Sequence, residues 1–114
     1  MKEIKAIIQP FMLSKVINAL KEIEGLPGVT VDTSVRGFGK GRGSQAAVPL
    51  VDDFVEYALK AKVEVVVPDQ LVEIVLDVIQ KQAHTGKPGD GKIFVYNVEQ
   101  VVKIRTGERG DRAI

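Results

Sequence analysis

The sequence contains no cysteine and no tryptophan, and its only histidine is His84. Without cysteine there is no disulfide, no thiolate metal site and no cysteine nucleophile. With one histidine, neither a histidine-based triad nor a two-histidine metal site can be assembled, and no catalytic set is expected. No apolar run approaches the roughly 18 residues that a transmembrane helix needs. Met1-Lys2-Glu3-Ile4 runs straight into a strand-like pattern, so no signal peptide is expected and a soluble cytoplasmic protein is the default. A basic surplus is missing too: 16 Lys and Arg stand against 15 Asp and Glu, a net charge of +1. A general nucleic-acid binder would show a basic excess or stripe, so nucleic acid is not an expected partner. Asp52, Asp53 and Glu56 come nearest to a hard-metal cluster. No second ligand stretch follows them at a defined spacing, so a solvated loop face is the plainer reading and no metal site is expected.

What is present is enough for one domain spanning residues 1–114, with 45% hydrophobic residues to fill a core. Residues 2–9 alternate charged and apolar side chains and read as a strand. Leu13, Val16, Ile17, Leu20 and Ile23 recur at helical spacing, and Gly25 with Pro27-Gly28 stops that helix. Val29–Phe38 reads as a second strand, ended by Gly39, Gly41 and Gly43. Residues 40–57 keep no single period. Leu59–Val67 is a third strand, and Pro68-Asp69 offers a helix start with Asp69 placed to cap. Val72, Val75, Leu76 and Ile79 form the inward stripe of a second helix ending near Ala83. Residues 92–98 and 100–105 read as two more strands. This order suits an α+β ferredoxin-like βαββαβ sandwich with an extra C-terminal strand. The helices cover one sheet face. Apolar residues from 4–8, 63–67 and 93–95 are expected on the other, as an assembly surface.

The chemistry concentrates in Thr85-Gly86-Lys87-Pro88-Gly89-Asp90-Gly91-Lys92. Glycines let a loop turn at positive φ and bring backbone amides close to a ligand. Successive N–H groups in such a turn make a concave anion site, and a lysine adds a point charge suited to phosphate. Lys103-Ile104-Arg105 places two cations on one face of the next strand. A phosphate-binding loop is one reading, and a plain surface turn is the other. Gly37-Phe38-Gly39-Lys40-Gly41 fails the dinucleotide fingerprint, because no helix pattern follows it.

Four segments, in order, resemble the PII signal-transduction family across essentially the whole chain. TGKPGDGKIFV followed by KIRTGE resembles the family's C-terminal signature. Val35-Arg36-Gly37-Phe38-Gly39-Lys40-Gly41 resembles the entry to its long loop, the T-loop, here residues 39–57. Ile4–Phe11 and Val63–Asp69 resemble its first and third strands. The resemblance implies a homotrimer that binds ATP, ADP or AMP as effector ligands in clefts between subunits, with magnesium accompanying ATP and no covalently bound cofactor. It implies nucleotide contacts at Gly37, Phe38, Gly39 and Lys40 on one wall, at Val66 beside the base, and at Gly89, Asp90, Gly91 and Lys92 around the phosphates. Lys103 and Arg105 would come from across the subunit boundary, Lys103 standing where arginine is common. A threonine of the second strand faces the base in the family. Thr30 is the candidate, but the segment 29–36 is one residue longer than the common form, so Thr30 is left out of the site.

Three departures stand out. The glutamine that helps bind magnesium and 2-oxoglutarate is replaced by Gly41, while Lys60 keeps the small-anion contact. Val51 and Asp53 occupy the positions of the modified serine and tyrosine, so no covalent modification is expected. The loop tip is apolar, which points to a docking partner unlike the usual ones, at the cytoplasmic face of a membrane transporter or on a soluble enzyme. The reading is a regulator and not an enzyme. The alternatives are a structural or metal-tolerance trimer of the CutA type, which would not need TGKPGDGK beside KIRTGE, and a nucleotide hydrolase, which would need a positioned base or metal carboxylates.

Overall fold

Buried and half-exposed side chains alternate through Lys2–Ile8, which forms β1, and through the second half of Glu56–Val67, which forms β4. Alternation at period two puts every second residue on one face. In the computed structural model, which describes residues 1–39, 48–49 and 56–114, that face meets two helices. β1 and β4 are the central strands. β2 (Thr30–Gly37) flanks β4 and β5 (Gly91–Asn97) flanks β1, all antiparallel, in the order β2-β4-β1-β5. A two-residue strand, β3 (Val48–Pro49), pairs with the start of β4.

The helices are α1 (Leu13–Lys21) and α2 (Val72–Ala83). Val16 and Leu20 of α1, and Val75 and Ile79 of α2, recur four residues apart and are fully buried on Ile4, Ala6 and Ile8 of β1 and Ala61, Val63, Val65 and Val67 of β4. Each helix is entered through one 3₁₀ turn, Pro10–Met12 or Asp69–Leu71, closed by Met12 N–H donating to the Gln9 carbonyl and Leu71 N–H to the Pro68 carbonyl, both at 3.0 Å.

Four details differ from the sequence reading. The apolar residues of 4–8 and 63–67 are almost all spent on the helices. The open face instead carries Glu3, Lys5, Lys62 and Glu64, beside Ile7, Val66, Phe94 and Tyr96. There Lys5 Nζ lies 4.9 Å from the Tyr96 ring centre, and Lys62 pairs with Glu64 at 3.7 Å. Asp69 does not cap α2: its carboxylate accepts from the Met1 amino group at 2.9 Å, and the 3₁₀ turn leads the chain into the helix. Residues 100–105 do not form a strand. Gly107, at φ +74°, turns the chain back, and Lys103 N–H donates to the Glu108 carbonyl at 2.8 Å, leaving a tight hairpin with one bridge, Val102 to Arg109. Finally, β4 begins at Glu56, inside the loop read as 39–57, and Tyr57 stands against Phe38 with ring centres 5.8 Å apart.

The extra residue of the second strand is absorbed as a β-bulge. Asp32 pairs with Lys62 and Val35 with Lys60, so three steps on β2 oppose two on β4. Asp32 holds the bulge by accepting from the Ser34 N–H at 2.8 Å and the Ser34 hydroxyl at 2.7 Å.

Where the glycine loop joins the sheet, Gly91 pairs with Ile8 at φ +107°. A Cβ there would lie 1.8 Å from the Ile7 carbonyl oxygen. Neither the dihedral nor the space admits a side chain. Gly91→Ala should therefore cost roughly 2–4 kcal/mol, read as a lower urea midpoint. Gly28→Ala, where a Cβ meets nothing within 4 Å and φ is not positive, should stay within about 1 kcal/mol.

Candidate functional site

The residues singled out from the sequence fall into two groups at opposite ends of the sheet. The first gathers where β1 ends, β4 begins and the glycine loop enters β5. The loop is closed by its own aspartate: Asp90 accepts from Thr85 N–H at 2.7 Å, from Gly86 N–H at 2.9 Å and from the Thr85 hydroxyl. These bonds, the Thr85 hydroxyl first, hold the Asp90 carboxyl below the usual aspartate range, with a smaller contribution from His84 at 3.8 Å. Gly86 and Gly89 sit at φ +88° and +96°, where glycine is the favoured residue. Asp90 thus shapes the loop, with its carboxylate turned in on the turn it closes.

The loop is fastened to the sheet at the Gly89 carbonyl. Gln9 Nε2 donates to it at 2.8 Å and Lys60 Nζ at 3.3 Å. Gln9 is the one buried polar residue among those described, and its position at the end of an apolar strand is the signal that could have marked it. Partial burial lowers the Lys60 pKa. Register places Ile7 between Lys62 on β4 and Lys92 on β5, on the open face that Lys60 also shares. Several ammonium groups therefore stand close to the loop. Gly37 pairs with Ala58 at this same end, and Phe38 and Gly39 follow it. A Cβ at Gly37 or Gly39 would meet nothing within 4 Å, and neither has a positive φ. The described part of the chain gives no reason of its own for glycine there. Lys40 and Gly41, like Val51 and Asp53, lie outside the described residues.

The second group lies at the far end of β4. Val66 pairs with Glu3, six residues from Lys60, which is about 20 Å along a strand. Val66, Thr30 and Glu64 line a cleft of about 450 Å³ together with Val101 and Ala113. Val101 is the base of the C-terminal hairpin, where its carbonyl accepts from Gly110 N–H at 3.1 Å. Lys103 and Arg105 ride on that hairpin, Lys103 Nζ lying 3.9 Å from Glu108. Glu64 also hydrogen-bonds Glu3, and that contact, followed by burial, raises the Glu3 pKa.

Thr30 and Glu64 therefore join Val66, although neither was included from the sequence. The bulge explains why Thr30 was passed over: the extra residue lies after Asp32, so Thr30 keeps an undisturbed pairing with Glu64. Glu64 looked like one more solvated charge of an alternating strand. The loop group and the hairpin group are not brought together within one chain. A site that used both would need a second copy.

A family model described as nitrogen regulatory protein P-II matches residues 1–108. Over 114 residues, covering the whole of both chains, the sequence is 50% identical to nitrogen regulatory protein P-II of Azospirillum brasilense, 49% identical to that of Rhodospirillum rubrum and 48% identical to nitrogen regulatory protein P-II 1 of Escherichia coli K12.

The Asp90 contacts set a pH dependence. The folded-state pKa lies below the value of about 3.9 expected in an unfolded chain. The stabilisation is therefore present above that value and is lost as pH falls through the folded-state pKa. Melting temperatures between pH 2 and 7 should fall less steeply on the acid side for Asp90→Asn than for the native chain. At pH 7 the variant should be the less stable of the two.

Proposed function

Because the chain belongs to the nitrogen regulatory protein P-II family, and is thus a signal-transduction regulator and not an enzyme, we propose that it is a homotrimer that binds ATP, ADP or AMP in clefts between subunits. The observation that carries the reading is the division of the candidate residues. Phosphate-binding chemistry sits at one end of the sheet, in Gly37, Phe38, Gly39 and the loop Gly89–Lys92. Lys103 and Arg105 sit at the other, near the Val66 cleft. One end of one subunit meeting the other end of its neighbour completes a single site. The loop supplies backbone N–H groups and Lys92 to the phosphates, the neighbouring hairpin supplies two more cations, and the cleft receives the base. Lys40 joins the loop side on sequence grounds. Magnesium would be held chiefly by the ATP phosphates and water, since Gly41 offers no side chain. The nucleotide then governs the T-loop, which docks on a cytoplasmic partner, either a transporter or a soluble enzyme. Such switching requires the loop to interact differently with each nucleotide state.

Calorimetry with ATP, ADP and AMP tests the reading directly. Lys92→Ala should weaken ATP or ADP by roughly 1.5–3 kcal/mol, the range for losing a charged hydrogen bond. The shared cleft gives a sharper test. Arg105→Ala and Lys92→Ala chains, each impaired alone, should regain one intact site per mixed trimer when refolded together. Absence of binding by the native chain at millimolar nucleotide, or no recovery on mixing, would contradict the proposal.

Lys60 bears on a second ligand. Its ammonium is already engaged by the Gly89 carbonyl, and Gly41 replaces the glutamine side chain that completes the magnesium shell in ordinary members. A lone, partly exposed lysine is a weak anchor for a small dianion. In saturating Mg-ATP, 2-oxoglutarate should bind the native chain poorly and a Gly41→Gln variant better. Tight binding by the native chain would sink that expectation.

A further inference from the structure

A net charge of +1 conceals a division along the sheet. The end where β1 and β2 stop and β4 and β5 begin carries Lys15, Arg36, Lys81, Lys87 and Lys92, all exposed. They come from separate elements: the start of α1, the end of β2, the last turn of α2, the glycine loop and the start of β5. Among the side chains described at this end, Asp90 is the one carboxylate, and its oxygens already accept from Thr85 and Gly86. At the opposite end Glu22, Glu24, Asp69, Glu73 and Glu99 are interleaved with lysines and arginines, so no such excess of one sign builds up.

Two phenyl rings stand out from the same basic end. Phe11, in the turn between β1 and α1, is 72% exposed, and Phe38, which follows β2, is 70% exposed. Neither belongs to the core. The Phe11 turn lies against β4, and Leu59 of that strand is also exposed. Apolar groups gathered at one place on a surface mark a site that something covers. Each ring has a cation close by in the chain. Lys15 follows Phe11 by four residues at the start of a helix, and Arg36 precedes Phe38 by two at the end of a strand.

We infer that this end of the chain docks directly on an anionic lipid surface, with Phe11 and Phe38 entering the headgroup layer and Lys15, Arg36, Lys81 and Lys87 held against its phosphates. A rigid protein partner must offer a fitted pocket for each projecting ring. A bilayer interface accepts rings at any spacing, while the stems of lysine and arginine lie along it and their charged heads stay at the phosphates. Cations spread around the rings over several elements match a broad anionic layer better than one acidic peptide. Docked this way, the chain stands with its strands upright and its C-terminal hairpin farthest from the lipid. Phe11, Lys15, Lys81 and Lys87 take no part in the nucleotide site proposed above, so the two readings stand or fall separately.

The test is co-sedimentation of the full chain, without nucleotide, with vesicles of phosphatidylcholine alone or mixed with phosphatidylglycerol, at millimolar lipid. The chain should pellet with the mixed vesicles and stay in solution with the neutral ones. Binding should weaken sharply as salt rises from about 0.05 M to about 0.3 M. Phe11→Ser, and separately Lys15→Glu combined with Lys87→Glu, should each lower the affinity for mixed vesicles at least fivefold. Their melting temperatures should match the native chain, since all three side chains are exposed. No binding to the mixed vesicles overturns the proposal, as does equal binding to both kinds or full binding by the variants. A chain that ignores vesicles and instead captures a soluble peptide of alternating glutamate and phenylalanine overturns it too, by making this end a protein-docking site.

Discussion

At Gly91 the backbone of β5 passes so near β1 that the Ile7 carbonyl occupies the space a side chain would need. That approach fixes where the glycine loop ends. Its other end is fixed by α2, whose last buried residue is Ala83. Between those two anchors the loop has little freedom, and Asp90 removes most of the rest by gathering the Thr85 and Gly86 N–H groups. Gln9 and Lys60 then hold the Gly89 carbonyl from the sheet side. Each of these contacts depends on the β1–β5 register, because Gln9 follows Ile8, the partner of Gly91. The packed core of β1, β4 and the helices supplies the rigidity against which the loop is set.

The sheet has a direction as a result. One end carries the glycine loop with Lys60 and Lys92, and the other carries Thr30, Glu64, Val66 and the hairpin. The two ends differ in chemistry: the first sets loop amides and cations beside a hollow lined by Ile8, Ile79, Ala83 and Ile93, and the second has the Val66 cleft with its cations outside it. The open face between them holds a mixed ladder of charges and aromatic rings. Such a ladder can pair with a like surface only in a limited number of orientations, which a uniformly apolar face would not enforce.

Much of this was legible from the residues. The period-two runs and the four-residue spacing of Val16 with Leu20 and Val75 with Ile79 located the central strands and both helices, because burial there is decided by local pattern. Boundaries and partners were less legible. Asp69 had the composition of a cap and was taken instead by the Met1 amino group, a contact made across 68 residues of sequence. Residues 100–105 alternated like a strand, but Gly107 provided a turn before any sheet edge could recruit them. The open face was misjudged because valines 63, 65 and 67 were counted with the face away from the helices, while the fold spends them all on the helices. Among the candidate site residues, the glycines of the loop were visible as a motif. Gln9 and Glu64 were not, since only tertiary placement distinguishes them from ordinary polar residues.

The bulge at Asp32 has a bearing on solubility. β2 is an outermost strand, and an outermost strand offers unpaired amides and carbonyls to any passing chain. Here its ladder is split into two runs of three pairs, Thr30–Asp32 and Val35–Gly37. Between them the Ser34 N–H is turned inward onto the Asp32 carboxylate, where no outside strand can use it. A bulged strand also bends and twists more sharply than a regular one. The extra residue therefore denies a stray chain the long flat template that fibril growth requires, on a strand that carries no aromatic side chain of its own.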